Sequence, residues 1–523
     1  MTTSAEVPAR ADDPAGAGGA FPAVTAAAAV LAIGVALVFR FVTSSDLWFD
    51  EALSVNIARL PFSELGDALR QDGAPPLYYV LLHLWIDVFG SGDGAVRALS
   101  GVFSVAALPL AYFAGRRVGG RTAALGAVLI LASSPYAIRF ATETRMYALV
   151  MFLVLWGYLA LRRALDRPTL PRLAVVTVVT ALLVYSQYWS FYLVGVVGIG
   201  LGYASWRGPV PGRLAARWTL LAVVLGTLTL LPWLDTLVFQ LGHTGTPWGE
   251  PVVPWFGFAV AMSAFAGGYK HAETWILLFP LLVLPLVALF GAALDARRIE
   301  LDLRTRPAVR WETAAAFGTL WLGLVAASVG GTAFDGRYAA IMFPLFVVVI
   351  GFSLTVFTST RVRVGLLVGI VLLGFAGGYR NIVDQRTQSG EVADVIAAEA
   401  QPGDVVVYCP DQLGPDTSRQ LERTPGLHEE TYPDRAAPQR VNWVDYRKRI
   451  ADRDPAAFAR SVLADTKPDA TIWFVNSSAF RHFGSSCDVI GATFGDGRLT
   501  TTRVVPDFDN IVEHMGLTQF ATP

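Results

Sequence analysis

Apolar blocks recur along this sequence from Phe21 to Tyr379, and most of them approach the about 17–25 residues that a helix needs to cross a bilayer. Hydrophobic residues make up 54% of the 523 residues and charged residues only 16%, whereas soluble domains carry about 25% charged residues. The pattern therefore excludes a soluble enzyme and a disordered scaffold. It predicts a polytopic α-helical membrane protein.

About eleven spans are expected. Residues 1–20, rich in Ala, Gly and Pro, are interpreted as a disordered cytoplasmic tail. The block Phe21–Val42 is too long for a signal-peptide core and lacks a clean cleavage site, so it is taken as an uncleaved first span. The other predicted spans are Val96–Gly115, Thr122–Ile138, Tyr147–Leu161, Leu173–Tyr185, Tyr188–Trp206, Leu214–Phe239, Thr274–Leu294, Thr313–Val329, Tyr338–Phe357 and Val364–Tyr379.

Arginine-rich connections alternate along the chain with connections that carry few basic residues. The positive-inside rule makes the arginine-rich set cytoplasmic, which places the N-terminus inside and everything after Tyr379 outside. The alternation holds only if Pro76–Gly90 does not cross, so we expect juxtamembrane helices in the first outer loop. Only three of the 41 basic residues are lysine. Together with the abundant alanine, this bias indicates a GC-rich bacterial genome and hence a bacterial plasma membrane.

A change of composition at Arg380 divides the chain. Residues 21–380 form the predicted membrane part, and residues 381–523 are predicted to form a small external α/β domain. Glu391–Ala400 and Ala456–Ala464 have helical spacing, and each is followed by a turn and a buried-strand pattern. Both cysteines, Cys409 and Cys487, fall in this domain, where oxidising conditions allow a disulfide.

Charge and cysteine content exclude further classes. A net charge of −1 offers no basic face for nucleic acid, and two cysteines cannot build a disulfide-dense scaffold or a cysteine metal cluster. The spans hold few ionisable residues, which counts against an ion-coupled transporter because such proteins place acids near the bilayer midplane.

The unusual charges lie in the outer loops. Trp48-Phe49-Asp50-Glu51 follows the first span directly. An ionised carboxylate at the membrane surface can accept a proton from a hydroxyl or hold a divalent cation. The alternative is that the two acids complement the dipole at the start of a helix running through Ala52–Ala58.

Three further motifs occupy outer helix ends, and one long loop joins them. Asp72 opens Asp-Gly-Ala-Pro-Pro-Leu-Tyr-Tyr; Glu143, Arg145 and Tyr147 belong to Glu-Thr-Arg-Met-Tyr; Arg337 and Tyr338 belong to Asp-Gly-Arg-Tyr. An arginine at such a place suits a lipid phosphate, although an ion pair of Arg139, Glu143 and Arg145 or a simple membrane anchor are equally open. The loop Gln240–Glu273 adds Lys270 and His271.

Together these motifs resemble the GT-C superfamily of integral membrane glycosyltransferases, in the branch with protein O-mannosyltransferases and the aminoarabinose transferases of lipid A. The likeness covers about residues 21–380, and the four motifs occur in the same order on one face. Residues 381–523 lie outside the shared part.

The resemblance implies a polyprenyl-phosphate sugar donor and transfer on the outer face. It assigns Asp50 as the catalytic base and Glu51 as its neighbour at the mouth of the site. Arg145 and Arg337, with Lys270 as a further cation, would neutralise the departing phosphate. Asp72, Glu143, Tyr147, Tyr338 and His271 are additional site candidates.

The expected function is inverting transfer of a hexose or pentose to a hydroxyl of a cell-wall polysaccharide, glycolipid or protein. The alternative is a non-catalytic component or transporter for lipid-linked sugars. Neither a required cofactor nor a metal follows from the sequence, and a divalent cation stays open. Membrane lipids, the donor and the acceptor are the expected partners; nucleic acid is not.

Overall fold

The computed structural model describes residues 23–268, 271–296, 298–303, 308–477, 480–497, 500–507 and 511–521. Helices dominate the part up to Val383. They are α1 Ala23–Phe39, α2 Phe49–Ala58, α3 Phe62–Asp72, α4 Leu77–Phe89, α5 Asp93–Ser133, α6 Pro135–Ala141, α7 Tyr147–Asp166, α8 Leu170–Ser186, α9 Ser190–Arg207, α10 Val210–Leu228, α11 Leu234–His243, α12 Pro254–Phe265, α13 Ala272–Phe290, α14 Arg310–Val329, α15 Phe343–Ser353 and α16 Thr360–Val383. A short hairpin of β1 Gly291–Ala293 and β2 Ile299–Leu301 joins α13 to α14.

Every predicted span overlaps a helix, which confirms the helical membrane fold. The predicted span Val96–Gly115 lies within α5, and Thr122–Ile138 covers the end of α5 and the start of α6. Helix α5 is interrupted at Gly119 and Gly120; Gly120 has φ +65°, a conformation that glycine adopts without strain. Among the described helices, six are long and apolar enough to cross a membrane. The total of about eleven spans stays a prediction, because several helices, such as α15 with 11 residues, are shorter than a bilayer requires.

The connection between α1 and α5 contains the short helices α2 to α4. Helix α3 ends at Gly73, whose φ of +85° reverses the chain, and Pro75-Pro76 then lead into α4. Helix α4 has 13 residues, about 20 Å at 1.5 Å per residue, against about 30 Å of hydrocarbon. The sequence-based prediction that this segment does not cross is compatible with that length.

The C-terminal region forms an α/β domain around a five-stranded sheet. Its helices are α17 Ser389–Glu399, α18 Gly414–Leu421, α19 Tyr446–Ala451, α20 Pro455–Asp465 and α21 Ser486–Gly497; its strands are β3 Val405–Cys409, β4 His428–Thr431, β5 Ile472–Asn476, β6 Thr500–Val505 and β7 Gly516–Ala521. The strand order is β4-β3-β5-β7-β6. Strands β4, β3 and β5 are parallel, whereas β7 is antiparallel to both β5 and β6.

The sequence predicted α17, β3, α20 and β5 correctly but missed the β6–β7 hairpin. A disulfide joins Cys409 at the end of β3 to Cys487 in α21, with the Cα atoms 5.6 Å apart. It ties the sheet to the helix that covers one face.

The domain packs directly on α2 and α3. The Asn56 side-chain amide donates to the carbonyl oxygens of Pro415 and Gln439 at 3.1 and 2.8 Å. The rings of Phe49 and Trp443 meet edge to face at 6.0 Å. Apolar side chains of the domain and of helices α2 to α4 share one buried cluster. The domain therefore covers these helices, and we call it the cap.

Candidate functional site

A cavity of about 520 Å³ lies between helix ends of the membrane part and the C-terminal domain. Its lining comes from four regions of the chain. They are the start of α2 and the α3–α4 turn, the N-terminal ends of α7 and α9, the Gln240–Trp248 segment with Thr332–Tyr338, and the domain residues Gln412, Trp443, Tyr446, Phe480, His482, Phe483, Val512 and Glu513. Of the predicted residues, Asp50, Asp72, Arg145, Tyr147, Arg337 and Tyr338 line it.

Asp50 and Arg337 form a direct ion pair in this cavity. The Arg337 Nη1 donates to Asp50 Oδ2, and both side chains are largely buried, with 15% and 13% of their surfaces exposed. The Asp335 carboxylate holds the Arg337 backbone N–H at 3.0 Å and lies 3.7 Å from its Nε. This Nε has no hydrogen-bond partner among the described residues, so the guanidinium keeps an unused donor.

The Arg337 guanidinium is also enclosed by aromatic rings. It lies 5.8 Å from the Trp48 ring, 5.5 Å from Trp248 and 5.8 Å from Tyr338, distances at which a ring face attracts a cation. Tyr338 in turn stacks on Trp189 at 5.7 Å. The rings fix the position of the charge while leaving its hydrogen bonds available.

A second cation is positioned by a relay of hydroxyl groups. Arg145 Nη1 donates to Ser54 Oγ at 2.9 Å and to the Tyr79 hydroxyl at 3.2 Å, and Tyr79 donates to Asp72 Oδ2 at 2.8 Å. Burial raises the pKa of Asp72, while Arg145 and the Tyr79 hydroxyl act in the opposite direction. Arg145 Nε has no hydrogen-bond partner in the described part of the chain, so this arginine too has a spare donor.

Glu51 differs from the expectation, because it does not lie at the mouth of the site. Its side chain is fully buried. Arg97 donates to both oxygens at 2.8 and 2.6 Å, and the Thr144 N–H donates at 2.9 Å. Burial alone would raise the pKa of this carboxyl, but Arg97 and the more distant Arg386 outweigh it and lower the pKa. Glu51 therefore serves as an internal counter-ion.

The structure confirms the helix start that the second interpretation of the two acids requires, and the chemical role of Asp50 stays a prediction. Asp50 and Glu51 occupy the first turn of α2, where they complement the helix dipole. Successive helix residues point about 100° apart, so Asp50 faces the cavity and Glu51 faces the interior.

Glu143 and Tyr147 occupy different surroundings. Glu143 is 1% exposed and pairs with Arg139 at 2.9 Å, which is the ion pair that the sequence left open, although Arg145 takes no part in it. Burial raises the pKa of Glu143, against the influence of Arg139. Tyr147 lies at the start of α7, lines the cavity and packs on Phe140 at 4.7 Å.

The remaining predicted residues are not brought to the cavity. His271 is half-buried, and its Nε2 lies 3.7 Å from Asp384 Oδ2; it is not among the described residues that line the cavity. Lys270 lies outside the described residues. In the described part of the chain, no group of three or more His, Cys, Asp or Glu side chains is arranged to hold a metal ion.

Several cavity residues escaped the sequence-based analysis. Tyr79 belongs to a quoted motif but was not singled out as a ligand of Arg145. Trp48 and Trp248 resemble ordinary interfacial aromatics in the sequence. Glu513, whose Oε2 accepts from the Phe49 N–H at 2.9 Å, is 464 residues away from its partner, and no local pattern marks it.

Comparisons with known proteins agree with this architecture. Residues 73–235 match the family model of dolichyl-phosphate-mannose-protein mannosyltransferase, a region that includes Glu143, Arg145 and Tyr147. No curated protein matches the chain by sequence. Among solved structures, apo ArnT from Cupriavidus metallidurans aligns over 96% of this chain and 100% of its own, with 15% identity and a TM-score of 0.59.

The same protein bound to undecaprenyl phosphate aligns over 96% of this chain and 99% of its own, with 15% identity and a TM-score of 0.55. The structure is thus that of a multi-pass membrane protein with an ArnT-like fold. The match over residues 73–235 and the shared fold confirm the predicted resemblance to the branches with protein mannosyltransferases and ArnT-like proteins.

Proposed function

We propose that the protein is an inverting glycosyltransferase that moves a sugar from a polyprenyl-phosphate donor to an acceptor hydroxyl on the outer face of a bacterial plasma membrane. The observation that carries the proposal is the pairing of Asp50 with Arg337 inside a cavity that also holds Arg145. A base and two cations in one enclosed space are what displacement of a phosphate leaving group needs.

Donor binding would release the base. Arg337 is paired with Asp50, so each charge masks the other. A donor phosphate provides a stronger bidentate partner for the guanidinium and would draw it from the carboxylate. Asp50 then accepts the proton of the acceptor hydroxyl, whose oxygen attacks the anomeric carbon of the sugar. The bond from that carbon to the phosphate oxygen breaks, and the phosphate leaves with the electron pair.

Arg145 would bind the same phosphate from the other side. Ser54 and Tyr79 fix its guanidinium, and its Nε remains available. Fixed donors around developing negative charge are among the largest contributions that a site can make. The structure of ArnT from Cupriavidus metallidurans bound to undecaprenyl phosphate supports the donor class proposed for this chain.

The cavity position supports transfer on the outer face. It lies at the N-terminal ends of α7 and α9, whereas arginines such as Arg163 and Arg207 lie in the last turns of these helices. Arginine-rich ends are cytoplasmic by the positive-inside rule. The domain residues Trp443, Phe480 and Phe483 form an aromatic wall, which suits the C–H faces of a sugar ring; we therefore propose a glycan or glycolipid acceptor.

The test is release of free polyprenyl phosphate by the purified protein, with a panel of polyprenyl-phosphate hexoses and pentoses and crude envelope acceptors. Wild type should release it with one donor, and Asp50→Asn should slow release by about 10²–10⁴-fold, the usual contribution of a positioned base. Asp67→Asn, on the exposed face of α3, is the matched control. No release with any donor from folded wild-type protein would favour a non-catalytic protein that handles lipid-linked sugars, whereas equal release by wild type and Asp50→Asn would show that Asp50 is not the base.

A further inference from the structure

A second cavity of about 650 Å³ lies at the opposite end of the helices that carry the first. Helix α7 contributes Tyr147 to the first cavity and Val154–Leu165 to the second, and α14 reaches the second with its first turn. The 20 residues of α7 extend about 30 Å. The second cavity begins about 10 Å along α7 from Tyr147, at Val154, and extends to Leu165 near the far end of the helix.

We refer to this second cavity as the arginine-end groove. Its walls are apolar side chains of α7, α8, α9 and α10, for example Leu161, Val179 and Val197. The end of the groove that lies at the arginine-rich helix ends is lined by Arg162, Arg207 and Arg310. Tyr203 and Trp311 pack together at this end, with ring centroids 6.4 Å apart. Apolar walls below a ring of arginine and aromatic side chains are typical of the headgroup level of a membrane.

A buried carboxylate distinguishes this groove from an ordinary gap between helices. Glu312 is 3% exposed and lines the groove. Its Oε1 accepts from the Tyr158 hydroxyl at 2.7 Å and lies 3.9 Å from Arg162 Nη1. Its Oε2 is buried and has no hydrogen-bond partner among the described residues. A buried polar atom without a partner is destabilising, so a ligand that donates to it would be favoured.

We propose that the arginine-end groove binds one anionic phospholipid whose headgroup carries a hydroxyl group. Its acyl chains would lie along the apolar walls, its phosphate would contact Arg207 and Arg310, and its hydroxyl would donate to Glu312 Oε2. Three arginines and one carboxylate give this end of the groove a net positive charge, which selects an anionic headgroup. The Glu312 carboxylate also needs a hydrogen-bond donor, and a headgroup without a hydroxyl or amine group cannot provide one.

The test uses the purified full-length protein and counts bound lipid by native mass spectrometry after exchange with phosphatidylglycerol, phosphatidic acid or phosphatidylcholine. Wild type should retain phosphatidylglycerol at least about tenfold better than phosphatidylcholine, a difference of about 1.4 kcal/mol. Glu312→Gln should weaken phosphatidylglycerol retention without weakening retention of phosphatidic acid, because phosphatidic acid has no headgroup glycerol hydroxyl to lose as a donor to the carboxylate.

A matched pair of substitutions on α9 locates the lipid. Gly200 lines the groove and Gly202 does not, and a side chain added at either position meets no atom within 4 Å. Gly200→Trp should fill the groove and reduce retained phosphatidylglycerol by at least about tenfold, whereas Gly202→Trp should not change it. If Gly200→Trp does not fold, the exposed pair Arg207→Gln and Arg310→Gln should give the same loss.

Three results would overturn the proposal. They are equal retention of phosphatidylcholine and phosphatidylglycerol by wild type, equal retention by the two tryptophan variants, and tighter binding of polyprenyl phosphate than of phospholipid in the groove. The measurement does not depend on sugar transfer, so it stands apart from the test of the proposed activity.

Discussion

Two adjacent carboxylates at the start of α2 have opposite surroundings. Glu51 is fully buried, and Arg97 and the Thr144 N–H occupy both of its oxygens. Asp50 reaches the cavity and has a partner, Arg337, that retains an unused donor. The difference shows that two adjacent carboxylates can differ in whether the hydrogen-bonding capacity around them is already used. The proposed catalytic role is assigned to the carboxylate whose surroundings retain an unused donor.

The strongest test of this comparison exchanges each carboxylate for its amide. Asp50→Asn should lose turnover by about 10²–10⁴-fold yet unfold at nearly the wild-type temperature, because Arg337 keeps Asp335 nearby. Glu51→Gln should lose about 3–5 kcal/mol of stability, since it leaves the buried Arg97 and Arg386 without their counter-ion. Thermal unfolding of both purified variants, followed beside donor turnover, measures the contrast. A similar loss of stability in both would contradict it.

The relay that positions Arg145 should show coupling in a double-mutant cycle. Arg145→Lys should lower kcat/KM for the donor by about 10–100-fold, because a lysine lacks the planar fork. Tyr79→Phe should lower kcat/KM by a smaller factor. The double variant should be little worse than Arg145→Lys alone, because the effects of groups in one network are not additive.

Tyr408→Phe in the C-terminal domain serves as the control for this cycle. Tyr408 is equally buried, but its hydroxyl donates to Glu429 at 2.6 Å. Its effect should add to that of Arg145→Lys. Additive effects for Tyr79 as well would show that Tyr79 does not act through Arg145.

The last prediction concerns how stability depends on pH through a carboxyl in the cap that pairs with a hydroxyl. Burial raises the pKa of Asp411 to about 7, against the hydrogen bond from Tyr446, whereas an unfolded aspartate has a pKa of about 3.9. Between these values the folded protein binds more protons than the unfolded chain. Stability should therefore fall as the pH rises from about 4 to about 7, by at most about 1.4 kcal/mol per unit.

Asp416, whose pKa burial raises to about 6, acts in the same direction over a narrower window. Asp411→Asn should flatten the dependence of the unfolding temperature on pH, and the exposed Asp469→Asn should leave it unchanged. An unaltered slope in Asp411→Asn would mean that other groups produce it.

The sequence predicted much of the helical fold, because apolar blocks and arginine-rich connections reflect the bilayer directly. It also brought Asp50, Arg145 and Arg337 forward as candidates, since charges at outer helix ends are rare. It could not decide which way Glu51 points. Nearly every side chain of α2 is buried, so the polar–apolar pattern that normally reveals the inner face is absent.

Long-range contacts account for the rest of what the sequence missed. The partners Phe49 and Glu513 are 464 residues apart, and Asp50 and Arg337 are 287 apart; neither pairing leaves a local signal. The hairpin of β6 and β7 was missed for another reason. Strand β6 combines three threonines, an arginine and two valines, and such a short mixed segment is not distinguished from a loop by periodicity.

The segment that joins α16 to the C-terminal domain is itself part of the packed structure. The Arg386 N–H donates to Ser45 Oγ at 2.9 Å, its guanidinium donates twice to Thr142 at 2.7 Å, and it lies 3.6 Å from Glu51. The segment therefore fixes the domain against the start of α2 and the α6–α7 connection. A chimera that borrows the domain of a relative would need its junction before Arg386 and compatible residues at Ser45 and Thr142. Under the proposed acceptor role of the aromatic wall, single substitutions there would change acceptor preference with less disturbance of the fold than exchange of the whole cap.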